Sequence, residues 1–250
     1  MSSEQEVDRK PQKGEVLLQA DSVRYGYGDL VAVWDVSLEA KAGEAVAIVG
    51  RNGAGKTTLM FGLAGVLPAM SGTVSLMGKD VTKRSPWNRA HDGLCLVPEG
   101  KRIFPELTVT ENLLLGVPRG VGPKERKERV NAILERFPML YEKRTHLAGS
   151  CSGGQAQLLS VAASMAVQPK VLMVDEPSSG LAPVMVDQIM ATLHELKDEG
   201  MAIILVEQLV EEVVTGIADL VVVIEGGRVV QSAVPEDISL EDLEKRLYVA

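Results

Sequence analysis

The stretch Ala45-Val-Ala-Ile-Val-Gly-Arg-Asn-Gly-Ala-Gly-Lys-Thr57 decides the fold of this chain. Its first five residues are all apolar, which is typical of a strand covered on both faces. The next eight match a glycine-rich loop that binds phosphate, and a helical pattern follows over residues 58–65. A strand, this loop and a helix, in that order, predict an α/β protein of the P-loop NTPase type.

The loop predicts a site for ATP. Its glycines let main-chain N–H groups point at phosphate oxygens, and the helix N-terminus adds partial positive charge. We expect Lys56 to act catalytically on the β- and γ-phosphates and the Thr57 hydroxyl to bind Mg²⁺. A glycine-rich turn with a surface lysine is the alternative, and the flanking strand and helix disfavour it. The predicted nucleotide-binding residues of the loop are Gly50, Arg51, Asn52, Gly53, Ala54, Gly55, Lys56, Thr57 and Thr58.

Two carboxylates follow a second apolar run, residues 171–174. Ligands of open α/β sheets bind at the carboxyl ends of the strands, where Asp175 and Glu176 stand. We expect Asp175 to hold Mg²⁺ through water and Glu176 to polarise the water that attacks ATP. A solvated strand end before the Pro177 turn is the alternative, which becomes weak beside a P-loop.

Other patterns outline the rest of the architecture. Apolar runs separated by helical patterns predict a mostly parallel core sheet with helices on both faces; they span residues 94–97, 202–206 and 220–224. Alternating stretches at residues 16–20 and 33–40 predict an N-terminal antiparallel β part. An inserted helical subdomain is predicted at about residues 100–167. In it, Thr108-Val-Thr-Glu111 is a capping-box pattern and Pro138 ends a helix. Charges alternate along residues 124–129, which favours a solvated helix face over a docking patch.

These patterns predict domain boundaries. We expect a disordered segment at residues 1–14, an ATPase domain at 15–232 and a C-terminal tail with a short helix at 233–250. The core of the domain is predicted at 15–99 and 168–232, and the helical subdomain at about 100–167.

Composition indicates the cellular location of the protein and excludes some classes of partner. The 250 residues carry a net charge of -8, which argues against nucleic-acid binding. Two cysteines fit a reducing cytoplasm. The start lacks a secretory signal, and no apolar run approaches the ~20 residues needed to cross a bilayer. We therefore expect a cytoplasmic protein that other subunits hold at the inner face of a cell membrane.

A third motif, Ser152-Gly153-Gly154-Gln155, opens an alanine-rich helix and can form a second anion site or an ordinary helix cap. The P-loop, this motif and the Asp-Glu pair, in that order, resemble the ATP-binding subunits of ABC transporters. The resemblance implies that two such subunits pair head to tail, as a homo- or heterodimer. Each ATP would then lie between one P-loop and the other subunit's Ser152–Gln155 motif, and transmembrane permease subunits would be attached.

Finer features are similar to the ATPases of branched-chain amino-acid importers, which also work with an external solute-binding protein. The resemblance implies that Tyr27 stacks on adenine, with Tyr25 as a rival two residues away. It places Glu99 near the metal, where glutamine is commoner, and Gln208 in a catalytic position where histidine is commoner. Ala182 replaces a commoner aspartate. Three positions depart from the family pattern: Cys151, Ala163 and Leu209.

Two other functions are compatible with these motifs. A non-transport ABC ATPase usually carries long coiled-coil, zinc or second-ATPase insertions, which this sequence lacks. A nucleotide-binding partner that hydrolyses ATP weakly is suggested by Gln208, because glutamine cannot carry the charge available to histidine.

Overall fold

The computed structural model describes residues 11–100, 102–207, 214, 216–241, 243 and 245. The strands are β1 Val16–Tyr27, β2 Leu30–Lys41, β3 Ala45–Val49, β4 Ser71–Leu76, β5 Lys79–Asp80, β6 Leu94–Val97, β7 Val171–Asp175, β8 Ala202–Val206, β9 Leu220–Glu225 and β10 Arg228–Ala233. The α-helices are α1 Lys56–Leu63, α2 Pro86–His91, α3 Val109–Gly116, α4 Pro123–Arg136, α5 Pro138–Glu142, α6 Gly153–Met165 and α7 Pro183–Asp198.

A six-stranded sheet forms the centre of the molecule, in the order β10-β9-β3-β8-β7-β6. All neighbours in it are parallel except the β9–β10 pair at one edge. The strand β3, which leads into the phosphate-binding loop, lies between β8 and β9. The predicted α/β fold with a mostly parallel core sheet is confirmed.

The two faces of this sheet support two hydrophobic cores. Along β3, Ala45, Ala47 and Val49 face a core that includes side chains of α3, α4, α6 and α7. Val46 and Ile48 face the other core, which includes side chains of β1, β2, β4 and α1. Because both faces are covered, β3 is buried along its whole length, as its continuous apolar run predicted.

The second sheet is antiparallel and four-stranded, in the order β2-β1-β4-β5. It confirms the antiparallel β part, but β1 and β2 are each 12 residues long and exceed the predicted stretches. Strand β4 and helix α2 were not predicted from the sequence, because they are short elements with few buried positions.

Helices α3 to α6 occupy the segment predicted to be helical. The capping box is present, since the Thr108 side chain accepts from Glu111 N–H while the Glu111 side chain accepts from Thr108 N–H. Helix α4 ends at Arg136, shortly before Pro138, as predicted. Pro138 is also the first residue of a second helix, α5, whose N-cap is Phe137. Proline is well tolerated at the first helical position, where its missing N–H is not needed. The boundaries at residues 100 and 167 stay a prediction.

Within the described residues, no helix is both long enough and apolar enough to cross a membrane. The predicted C-terminal tail at residues 233–250 and the N-terminal segment at 1–14 lie partly outside the described residues.

Candidate functional site: a phosphate-binding cavity

Two left-handed glycines shape the loop between β3 and α1. Gly53 has φ 80° and Gly55 has φ 104°, a region that side-chain-bearing residues rarely adopt. Gly55 is also the N-cap of α1, and no side chain caps that end of the helix. Its first N–H groups are therefore available to an anion, in line with the predicted phosphate site.

The turn between β9 and β10 braces this loop. The Gly227 N–H donates to the Ala54 carbonyl at 2.9 Å, and the Trp34 N–H donates to the Gly227 carbonyl at 2.7 Å. A Cβ on Gly227 would collide with the Ala32 carbonyl oxygen, and one on Gly50 would collide with the Ile224 carbonyl oxygen. Glycine is required at both positions because the backbone of another segment comes so close.

Lys56 is buried at the start of α1, with 5% of its surface exposed. Its Nζ donates to the Gly50 carbonyl at 2.7 Å and to the Arg51 carbonyl at 3.2 Å. Burial lowers the pKa of Lys56, and the carboxylates that end or follow β7 and β6 oppose this change; they are Glu176, Asp175 and Glu99. The ammonium therefore lies in a site that holds charge of both signs.

Asp175, the last residue of β7, is completely buried. Neither of its carboxylate oxygens has a hydrogen-bond partner of acceptable geometry among the described residues. Burial raises the pKa of Asp175 to about 6, the nearby Thr57 hydroxyl lowers it, and the charges of Glu176 and Glu99 add to the rise. A buried carboxylate without such a partner is costly, so the site calls for a cation that the described side chains do not fully supply.

A cavity of about 340 Å³ opens above these groups. Its described lining contains predicted loop residues together with Glu99 and Glu176, but not Asp175; it consists of Ala32, Asn52, Gly53, Gly55, Lys56, Thr57, Thr58, Glu99 and Glu176. Gly50, Arg51 and Ala54 belong to the same loop, although they do not line the cavity.

The residues fit a magnesium ion shared with phosphate. No group of three or more His, Cys, Asp or Glu side chains within the described residues is arranged to hold a metal alone. Magnesium suits this arrangement, because it usually keeps several waters and binds one or two carboxylates together with substrate phosphates. Asp175, Thr57 and Glu99 are the side chains that could take part.

Glu176 has an unusual backbone conformation. Its φ is 47°, in the left-handed region that favours glycine, and its N–H donates to the Val206 carbonyl at 2.8 Å. Strain of this kind persists only when the surrounding structure enforces it, and it is concentrated at functional sites. Two residues later, Ser178 donates two hydrogen bonds to Glu207, a buried carboxylate that follows β8 and that no sequence motif indicated.

The structure separates the two tyrosine candidates. Tyr25 is fully buried, and a Cβ on Gly62 would collide with its ring, so Tyr25 is part of the core. Tyr27 is 51% exposed at the end of β1, whose partner strand β2 contributes Ala32 to the cavity. Of the two, only Tyr27 has an exposed ring.

The Ser152–Gln155 motif lies apart from the cavity, and none of its residues is among the described lining residues. Ser152 and Gln155 form a reciprocal capping box at the start of α6, and Lys143 donates to the Gln155 side chain at 3.0 Å. A Cβ on Gly154 would collide with the Met185 side chain, so that glycine also permits close packing on α7. Gly153 is the first residue of the helix. Gln208 lies outside the described residues.

Known proteins resemble this chain in sequence and in structure. The ABC transporter family model matches residues 33–179. The branched-chain amino acid transport ATP-binding protein BraG of Pseudomonas aeruginosa is 38% identical, over 86% of this chain and 91% of that protein. The lipopolysaccharide export ATP-binding protein LptB of Haemophilus influenzae is 28% identical, over 93% and 97%.

A crystal structure of a nucleotide-free ATP-binding cassette from an ABC transporter superposes with a TM-score of 0.79 at 28% identity, covering 92% of this chain and 94% of the other. The family match spans more than half of the sequence and includes both the loop and the Asp-Glu pair. The chain therefore belongs to the ABC transporter family, as one of its ATP-binding and ATP-hydrolysing subunits.

Proposed function

We propose that this chain hydrolyses ATP to drive an importer of branched-chain amino acids or related small polar or amphipathic solutes. The observation that carries the ATPase site is the cavity, which gathers Lys56, Thr57, Glu99 and Glu176 above the buried Asp175. Support for the substrate class comes from the 38% identity to BraG and from the residues at positions 99, 182 and 208.

In the proposed reaction, Lys56 leaves its loop carbonyls and binds the β- and γ-phosphates. Asp175, Thr57 and Glu99 would hold Mg²⁺, which would supply positive charge to the phosphates. Glu176 accepts a proton from the attacking water, and Gln208 orients that water. Tyr27 stacks on the adenine, where its exposed ring is available.

A second ATPase subunit completes the site. The Ser152–Gln155 motif begins a helix, contributes no residue to the described cavity lining, and has an exposed Ser152. In a head-to-tail pair, the helix N–H groups of this motif donate hydrogen bonds to the γ-phosphate of the ATP that the partner binds. Permease subunits attach the pair to the inner face of the membrane, and an external binding protein delivers the solute.

The test is solute uptake by cells that lack this chain. We expect uptake of radiolabelled leucine to fall, and expression of wild type but not of Glu176→Gln to restore it. LptB, at 28% identity, makes export the competing assignment. Unchanged uptake of leucine, related amides and aromatic acids, together with a defect in the cell envelope, would replace import by export.

A further inference from the structure

Glu207 is a buried carboxylate to which the proposed reaction assigns no role. It is 2% exposed and follows β8 directly. Its Oε1 accepts the Ser178 N–H at 2.9 Å, and its Oε2 accepts the Ser178 hydroxyl at 2.7 Å. A buried carboxylate is retained at low cost only when charge-assisted hydrogen bonds replace its water, and Ser178 supplies two of them.

These contacts fall next to the strained Glu176. The Glu176 N–H donates to the Val206 carbonyl at 2.8 Å, one residue before Glu207. Three hydrogen bonds therefore join residues 176–178 to residues 206–207. The left-handed backbone of Glu176, at φ 47°, is strained and needs such an enforcing contact.

We propose that Glu207 is a positioning residue for ATP hydrolysis. Its carboxylate holds the loop of residues 176–178 against the end of β8, and thereby fixes the backbone from which the Glu176 side chain enters the cavity. The same contact sets the spacing between Glu176 and Glu207. This inference rests on the proposed role of Glu176 as the base.

The chemistry of the contact predicts which variants keep it. Glu207→Gln retains one oxygen for the Ser178 N–H, and its amide can donate to the Ser178 hydroxyl, which is able to accept. Glu207→Ala removes both acceptors and leaves the Ser178 N–H buried without them. Ser178→Ala removes only the hydroxyl bond. We therefore expect Glu207→Ala to disturb the contact far more than Ser178→Ala does, and Glu207→Gln to stay closest to wild type.

The first experiment measures kcat and ATP affinity of each folded variant, with folding checked by circular dichroism. We expect Glu207→Ala to lower kcat about 10-fold or more, Ser178→Ala about threefold and Glu207→Gln less than threefold, with the dissociation constant of ATP changed less than about twofold. In the Glu207→Ala background, Ser178→Ala should have no further effect, because the two residues act as one unit.

Ser164→Ala is the matched control. Ser164 is also buried and donates one hydrogen bond, to the Val161 carbonyl within α6. If Ser178→Ala matches Ser164→Ala in kcat, or if its effect adds fully to that of Glu207→Ala, the proposal is overturned. Parallel loss of kcat and ATP affinity in Glu207→Ala overturns it as well, because a positioning residue for the base spares binding.

A second experiment does not depend on turnover. Hydrogen exchange of the Ser178 amide should be faster in Glu207→Ala than in wild type and nearly unchanged in Glu207→Gln. Unchanged exchange in Glu207→Ala rejects the bridge. If exchange responds as expected but Glu176→Gln hydrolyses ATP normally, the bridge holds the loop while the proposed role of Glu176 fails. The two failures are thereby distinguished. Where Glu207→Ala does not fold, Ser178→Ala against Ser164→Ala decides the proposal.

Discussion

Lys56 and Gly50 are joined by a hydrogen bond of 2.7 Å from the lysine ammonium to the glycine carbonyl. The lysine thus closes over the loop that carries it, and main-chain dipoles of Gly50 and Arg51 accept its hydrogen bonds. The phosphates of ATP are stronger acceptors than carbonyls, since they carry full charge. We therefore expect binding of ATP to exchange weak hydrogen bonds of the ammonium for strong ones.

Replacing this lysine tests the exchange. Lys56→Ala should weaken ATP binding at least about 10-fold, because the mobile positive charge among the β- and γ-phosphates is lost. Nucleotide titration of the folded variant measures the effect. Lys124→Ala, at a side chain that is 92% exposed on α4, is the control and should bind as wild type does. Equal affinity of the two variants would remove Lys56 from the site.

The second prediction concerns turnover without loss of binding. Glu176→Gln should bind ATP normally and lose most hydrolysis, because the amide keeps the shape of the side chain but cannot accept a proton from water. The closed pair of subunits should then accumulate and elute earlier in size-exclusion chromatography when ATP is present. Glu128→Gln on the exposed face of α4 serves as control. Near-normal turnover by Glu176→Gln would mean that another group is the base.

The buried Asp175 predicts a pH dependence of stability in protein freed of metal and nucleotide by chelation and dialysis. Burial raises its pKa from 3.8 to about 6, so between these values the folded chain holds a proton that the unfolded chain has released. This stabilisation is fully present below about pH 4 and is lost as the pH rises through about 6. The loss is on the order of 2–3 kcal/mol.

Asp175→Asn removes that titration. The Tm of Asp175→Asn minus the wild-type Tm should therefore increase as the pH rises from 5 to 8. Hydrolysis should disappear because the metal contact is lost. Differential scanning calorimetry of both proteins across this range measures the difference, which cancels the titration of other groups. A difference in Tm that is independent of pH would show that Asp175 keeps an ordinary pKa.

Glu99 links the cavity to the helical segment, since it follows β6 and lines the site while the chain continues towards α3. Phe104, a few residues on, is 59% exposed. Such a junction can respond to the γ-phosphate and move a neighbouring surface. Glu99→Ala should impair transport in membrane vesicles more than basal hydrolysis. Equal loss of both would favour a local role at the metal, and normal values of both would reject the coupling role.

Substitution of Gln208 tests whether the chain is an active ATPase or a nucleotide-binding partner that hydrolyses ATP weakly. Glutamine can orient water without a charge, as it does in small GTPases, so we expect Gln208→Ala to lower turnover ~10-fold or more with ATP affinity largely unchanged. Phosphate release by the complex measures this, with Glu176→Gln as the blank. A wild-type rate equal to the blank would favour the weakly hydrolysing partner. A Gln208→Ala rate equal to wild type would leave Gln208 without a catalytic role.

The sequence predicted the structure best where the backbone conformation or burial allows few residue types. The loop glycines and the strand β8, found at the predicted residues 202–206, follow from backbone freedom and from burial on both faces. The choice between Tyr25 and Tyr27 could not be made in this way, because residues two apart on a regular strand share a face. Register shifts of β1 against β2 on either side of Tyr25 break that alternation.

The bridge from Glu207 to Ser178 was equally hidden from the sequence. It joins residues 29 positions apart across two parallel strand ends, and neither residue belongs to a pattern with a fixed period. The left-handed φ of Glu176 was hidden for a related reason. Tertiary contacts impose it against the residue's own preference, and local sequence reports that preference alone.

The phosphate-binding loop is assembled from segments that translation produces far apart in time. Its strand β3 hydrogen-bonds to β8 and β9, which begin at Ala202 and Leu220, and its brace is Gly227. Contacts between residues so far apart in the sequence form slowly, and they can form only after the more C-terminal residue has been synthesised. A nascent chain that ends before residue 200 therefore displays every P-loop residue but lacks both flanking strands. Nucleotide affinity should thus arise abruptly once the chain has been synthesised through Gly227, so that ATP cannot stabilise the earlier stages of folding.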